Sequence, residues 1–234
     1  MQIRDSIVLV TGANRGLGHA WARLLLEAGA RKVYAGARDP RGIDLPDVIP
    51  LELDITDPGQ VRRAATECGD VTLLVNNAGI VRGGHMFDDE AVDRARQELD
   101  TNLFGTLAMC RAFAPVLGAN GGGAIVNVLS VLSWISIPGV ATYAMSKAAT
   151  WSMTNGVRIA LKPQATQVLG LHVGFMDTDM TAGLDAPKAS PQDVVTQAIA
   201  AIEAGQEEVL ADALTREVKR GLSLEHGVYL DAAG

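Results

Sequence analysis

Short apolar runs alternate along the chain with longer segments in which apolar residues recur every three or four positions. The short runs read as buried strands at residues 6–10, 32–35, 48–53, 73–76, 124–129 and 168–173, with 208–211 as a weaker edge strand. The amphipathic stretches between them read as helices over residues 16–28, 58–67, 89–117, 142–161 and 191–204. Strand and helix in regular succession predict βαβ units, and so an α/β fold: a doubly wound parallel sheet of Rossmann type with helices on both faces. Two helix starts are marked by chemistry: Asp57 can cap free amides while Pro58 takes the first helical position, and Ser190 with Pro191 repeats the device. The glycine run 121–123 is a loop before a strand. With no repeat and no linker long enough to divide it, the whole chain, residues 1–234, is expected to form a single domain.

Composition narrows the class. An apolar content of 48% with 4% aromatic residues suits a soluble globular chain. The net charge of −7, with no basic stripe, argues against nucleic acid as a partner. Cys68 and Cys110 lack metal-ligand spacing and read as reduced thiols, so no metal is expected. The N-terminus runs straight into a strand without a signal peptide, and no apolar run reaches membrane-spanning length, so the expectation is a cytoplasmic protein with no membrane partner.

The candidate chemistry centres on Tyr143 and Lys147 in TYAMSK, four residues apart and so on one helical face. A lysine ammonium near a phenol favours the phenolate, which would let tyrosine exchange a proton near neutral pH. Ser130 closes the apolar run AIVNVLS, at the strand end where open parallel sheets bind ligands. Asn102 lies in TNLFG, and TGANRGLG follows the first strand and opens the first helix. Glycines there allow a tight turn and close approach to a pyrophosphate, which the helix N-terminal amides would attract.

In identity, order and spacing, Thr11, Gly12, Gly16 and Gly18, the NNAG at 76–79, then Asn102, Ser130, Tyr143 and Lys147 resemble the short-chain dehydrogenase/reductase family over essentially the whole chain. The resemblance implies an oxidoreductase moving hydride between a nicotinamide and a small-molecule carbonyl/alcohol pair. Tyr143 would act as acid and base, and Ser130 would hydrogen-bond the carbonyl oxygen. Lys147 would hold the nicotinamide ribose and lower the Tyr143 pKa, while Asn102 would anchor a relay water. It also implies that Gly12, Asn14, Arg15, Gly16, Leu17 and Gly18 cradle the cofactor. Asp54 and Ile55 would meet the adenine, Asn76, Ala78 and Gly79 would line the cofactor, and Gly174, Met176 and Thr178 would contact the nicotinamide end. Gly36 and Ala37 occupy places where NAD-dependent relatives carry an acid. Arg38 and Arg15 then favour NADP(H) over NAD(H), although Asp39 lies at a ribose-binding distance from the glycines.

One departure stands out: Val173 replaces the family's proline before Gly174, which frees the backbone and predicts a less rigid floor for the nicotinamide pocket. Segments 80–87, 132–138 and 175–184 are expected to border the substrate. They offer Trp134, Phe175 and Met180 for an apolar or aromatic ketone or aldehyde, or else as core or subunit contacts. Imine reduction and a nucleotide-sensing protein with little catalysis are the alternative functions. The resemblance further implies a homodimer or homotetramer.

Overall fold

Strands with no polar face can only lie between two helical layers, and the central strands here are of that kind. The computed structural model describes every residue except 179, 180, 182, 184 and 231–234. In it β1 (Ile7–Thr11), β4 (Leu73–Asn76) and β5 (Ala124–Val128) are buried at every position. With β2 (Lys32–Ala37), β3 (Ile49–Glu52), β6 (Gln167–His172) and β7 (Glu208–Leu210) they form one seven-stranded sheet. All pairings are parallel and the order is β3-β2-β1-β4-β5-β6-β7. The order reverses between β1 and β4, and a cleft opens at the carboxyl ends of the strands there.

The seven strands expected from the pattern are all present, with ends displaced by at most two residues. One face is covered by α1 (Gly16–Glu27) and α6 (Pro191–Glu203), which press Trp21, Leu25, Val194 and Ala198 onto the sheet. The other is covered by α2 (Pro58–Glu67), α4 (Thr106–Ala119) and α5 (Ala141–Leu161) around Val61, Met109, Phe113, Leu117 and Ile125. Both anticipated caps form. Asp57 Oδ1 accepts from the amides of Gly59 at 2.7 Å and Gln60 at 3.2 Å, and Ser190 Oγ accepts from Asp193 at 3.4 Å.

Two helical expectations need correction. The helix foreseen over residues 89–117 is three segments: α3 (Ala91–Leu99), a π-helical turn (Asp100–Gly105) and α4. The wide turn arises where Gly105 lets Ile55 pack against the backbone, since a Cβ at that position would meet Ile55 Cδ1 at 2.8 Å. Because the segments run on without a break, Ala91–Ala119 is a 29-residue rod long and apolar enough, by length and composition, to cross a membrane. No run of that kind was expected from the sequence. Met109, Cys110, Phe113 and Leu117 on the rod are buried against the sheet, as in the core helix of a globular protein. The second correction is a further helix, α7 (Ala213–Gly221), started by a capping box in which Asp212 Oδ1 accepts from Thr215 N at 2.8 Å. Its signal was an Asp three residues before a Thr.

The sheet carries a polar seam in its middle. Asn76 Nδ2 donates to Asn127 Oδ1 at 2.9 Å, and Asn127 Nδ2 donates to Thr154 Oγ1 at 2.9 Å, which ties β4, β5 and α5 together below the cleft. Asn127 is fully buried, so its loss strands polar groups on two elements. Asn127→Ala is expected to lower stability by about 2–3 kcal/mol. A shift in urea midpoint worth less than about 0.5 kcal/mol would show that the seam is dispensable.

Candidate active site

The cleft at the strand ends is a cavity of about 860 Å³ that runs from the glycine turn after β1 to the N-terminal turns of α5. Its shape at one end follows from a close approach of two loops. Thr11 Oγ1 accepts from the amides of Asn77 and Ala78, both at 3.0 Å. Asn77 Nδ2 donates to the carbonyls of Thr11 at 2.9 Å and Gly12 at 3.2 Å. A Cβ on Gly12 would come within 3.0 Å of Ala78 Cα, and one on Gly18 would collide with the Gly12 carbonyl. Gly12 and Gly16 have φ of 68° and 53°, left-handed values that glycine adopts freely. Arg15 is the residue at which α1 starts, and Asn14, Arg15, Gly16 and Leu17 line the cavity at that helix N-terminus together with Thr178. Backbone N–H groups with a helix dipole behind them suit a diphosphate. The residues present thus fit a dinucleotide.

Farther along the cavity wall lie Ala37, Arg38, Asp39, Asp54 and Ile55. Asp39 is not available as a simple ribose acceptor. Arg41 engages it through Nε and Nη2, both at 2.9 Å, and holds its carboxyl below the usual carboxylate range. Asp54 Oδ1 accepts from the Thr56 amide at 2.9 Å and hydroxyl at 2.7 Å, which closes a tight turn.

At the other end Ser130, Tyr143 and Lys147 line the same cavity. Ser130 caps the short 3-10 turn Val131–Ser133, its Oγ accepting from Leu132 N at 3.1 Å, and its hydroxyl hydrogen-bonds the Tyr143 phenol. Lys147 is buried, donates from Nζ to the Val128 carbonyl at 2.9 Å, and sits 5.7 Å from the Tyr143 ring centre. The expected electrostatics are revised. Burial raises the Tyr143 pKa, the buried Glu98 raises it further, and the Ser130 hydrogen bond opposes them. Burial also pulls Lys147 down to about 8, because an ammonium in a dry site is costly. Desolvation outweighs the simple attraction of lysine for phenolate.

Asn102 stands behind this cluster on the π turn and outside the cavity wall. Its side chain accepts from Ile80 N at 2.8 Å and donates to Ile80 O at 2.9 Å and to Ser146 Oγ at 2.8 Å. Its own carbonyl takes the Thr150 hydroxyl at 3.0 Å. One turn earlier, Glu98 Oε1 accepts from Arg82 N at 2.7 Å, so two helical side chains grip alternate residues of the loop that forms the cavity wall.

Gly79, Ala78, Gly174, Phe175, Met176 and Thr178 line the cavity. Asn76 does not: its side chain points into the polar seam, and the neighbouring Asn77 takes the place at the wall, a side chain the sequence reading passed over. Only alternate residues of a strand face one way, and the strand end put Asn76 inward. Trp134 is also absent from the wall, stacked instead on His172 at 4.0 Å between ring centres. Met180 lies outside the described residues. The backbone around Val173 is tied on two sides: its carbonyl accepts from Val131 N at 2.8 Å, and Gly174 N donates to Asp212 Oδ2 at 2.6 Å.

A family model described as short chain dehydrogenase matches residues 6–189. Dehydrogenase/reductase SDR family member 7B of Bos taurus is 29% identical over 217 residues, 85% of this chain and 66% of that protein. The chain therefore spans just under two thirds of that relative. The 3-oxoacyl-(acyl-carrier-protein) reductase FabG of Vibrio harveyi is 32% identical over 79% of each chain. Among solved structures, a short chain dehydrogenase from Burkholderia cenocepacia J2315 in complex with NADP is 43% identical, with a TM-score of 0.92 over 96% of this chain and 95% of that one.

The depressed Lys147 pKa has a measurable consequence. An unfolded lysine keeps its proton to 10.5 and the folded one releases it near 8, so between those values the unfolded state binds more protons and stability rises with pH. Lys147→Met removes this contribution. Stability of the wild type minus that of the variant, from urea denaturation at about pH 7.5 and about pH 9.5, is expected to grow with pH. An unchanged difference would mean that the ammonium is not held in a dry site.

Proposed function

The chain belongs to the short-chain dehydrogenase family, and on that premise we propose that it is an NADP(H)-dependent oxidoreductase acting on a carbonyl/alcohol pair. Its substrate in this reading is an apolar or aromatic ketone or aldehyde. The observation that carries the proposal is the convergence of Ser130, Tyr143 and Lys147 on the cavity that also contains the glycine cradle. A sensing protein would need the cradle alone. For the substrate, the support is the apolar wall of Ile80, Val81, Leu132, Ile137, Pro138 and Phe175 beside Tyr143.

The bound nicotinamide supplies or accepts the hydride. Around it the chain's own groups handle one proton and one developing charge. Ser130 Oγ accepts from Leu132 N and its O–H engages the Tyr143 phenol, so a substrate oxygen that reaches this pair takes over the serine O–H as its donor. Tyr143 carries its proton, as a phenol raised by burial must, and delivers it to the oxygen as that oxygen gains charge. Lys147, with a pKa near 8, can both donate to the cofactor ribose and pass a proton on. Asn102 holds the turn at Ile80 that closes the site beside Gly79, where a Cβ would lie 3.1 Å from Asn102 Oδ1.

Preference for the phosphorylated cofactor rests on Arg38 and Arg15 at the wall and on Arg41, which pairs with the Asp39 carboxylate beside Arg38. The NADP complex of the Burkholderia cenocepacia relative supports the same reading. Two buried free thiols suit a reducing, cytoplasmic setting, and exposed Phe104 and Ile159 offer apolar positions that a homodimer or homotetramer would cover.

Purified protein assayed with NADPH against ketones, aldehydes and cyclic imines is expected to oxidise the cofactor with carbonyl substrates. Tyr143→Phe should lower turnover roughly 10²–10⁴-fold while NADPH affinity stays nearly constant. Substantial activity in that variant would overturn the role of Tyr143. Arg38→Ala should weaken NADPH roughly tenfold or more with little effect on NADH. Equal losses for both would place the phosphate elsewhere.

A further inference from the structure

His172, the last residue of β6, takes no part in the cavity wall, yet it touches the backbone of Ser130. Its Nδ1 lies 3.2 Å from the Ser130 carbonyl oxygen. A carbonyl can only accept, so Nδ1 carries the proton. The ring is fully buried, and burial depresses its pKa to about 4, which leaves a neutral imidazole in a single tautomer across the physiological range.

The surroundings hold that ring in place. Trp134 stacks on it with ring centres 4.0 Å apart and planes 19° from parallel, and Trp151 meets Trp134 edge-on at 6.2 Å. Lys219 Nζ lies 4.9 Å from the Trp134 ring centre and pairs with Glu208 at 2.9 Å. The charged groups acting on the imidazole are Glu208, whose Oε1 is 3.7 Å from Nε2, together with Lys219 and Lys147. Nε2 itself has no hydrogen-bond partner among the described residues. The one bond the imidazole makes is therefore the one to Ser130.

That bond sits where the sheet supports β5 on one side only: toward β6, Leu129 N and Val131 N still donate to the Leu171 and Val173 carbonyls, both at 2.8 Å. Pairing of β4 with β5 ends at Asn127, and beyond it the Val128 carbonyl is taken by Lys147 and the Ser130 carbonyl by His172. The Ser130–Val131 peptide is thus held at both ends, its N–H on the Val173 carbonyl and its C=O on His172, and it leads into the turn in which the Ser130 hydroxyl accepts from Leu132 N. We propose that His172 is a positioning residue, its Nδ1–H gripping the Ser130 carbonyl so that the Ser130 hydroxyl is aimed at the substrate oxygen, with Trp134 serving as the clamp on the imidazole. This inference rests on the role given to Ser130 above.

Asparagine places an amide N–H near the position of Nδ1, whereas glutamine places it near Nε2. His172→Leu and His172→Gln are expected to lower kcat for carbonyl reduction roughly 10- to 100-fold, with NADPH affinity unchanged. His172→Asn should recover to within a few-fold of wild type. Full activity in the leucine variant, or equal activity in the asparagine and glutamine variants, would overturn the proposal. Nitrogen-15 NMR of the wild-type imidazole gives a readout that needs neither a substrate nor a variant that folds. The Nδ1–H tautomer near pH 7 supports the bond, and the Nε2–H tautomer or an imidazolium overturns it. Should the wild-type protein reduce no carbonyl or imine, the functional reading fails on that assay, while the tautomer still decides whether His172 holds Ser130.

Discussion

Everything at the cofactor end depends on the approach of the glycine turn after β1 to the loop after β4. Gly18 packs where any side chain would strike the Gly12 carbonyl, and Gly12 packs against Ala78. Thr11 and Asn77 then lock the two loops with four hydrogen bonds between 2.9 and 3.2 Å. The result is a rigid rim with helix amides behind it, built at the sheet's topological switch, where βαβ crossovers leave a gap between neighbouring helices. The width of the cleft and the placing of Ala78 and Gly79 on its wall both follow from that one contact.

The end of the cavity that holds Ser130, Tyr143 and Lys147 obeys a different constraint, the cost of keeping ionisable groups dry. Lys147 and Glu98 are buried, and Tyr143 is half buried beside them. Desolvation therefore moves the phenol up and the ammonium down, which separates a group that holds its proton from a group that readily gives one away. Backbone carbonyls left beyond the end of β4 serve as partners for the side chains in this region. Lys147 takes the Val128 carbonyl and His172 meets that of Ser130, so each completes the backbone pairing from a side chain. Structure and chemistry share the same hydrogen bonds there.

At residue 173 a local rule could not see the tertiary partners of the backbone. A valine in place of proline leaves φ free, so residue 173 read as a soft spot. Hydrogen bonds from Val131 and to Asp212 restrain the backbone instead, and the Asp212 carboxylate comes from the cap of α7, a helix that the periodicity had not revealed. Its buried positions Thr215, Val218 and Gly221 recur every third residue, but Val218 alone among them has an apolar side chain, so no apolar stripe marked the helix.

The chain by itself determined the alternation of elements, because strands buried on both faces must be continuous apolar runs and helices must carry a stripe. It also determined the glycine turn and the Tyr143–Lys147 pair, since both are local: a turn needs particular dihedral angles, and four residues make one helical turn. Which way a side chain faces at the end of a strand was decided only by the tertiary structure. There the register and the neighbouring layers sent Asn76 inward, brought Asn77 to the wall, and turned Trp134 onto His172. The same holds for proton affinities, because burial is a property of the assembled layers. No spacing in the sequence records how little water reaches Tyr143 and Lys147, and that exclusion sets their chemistry.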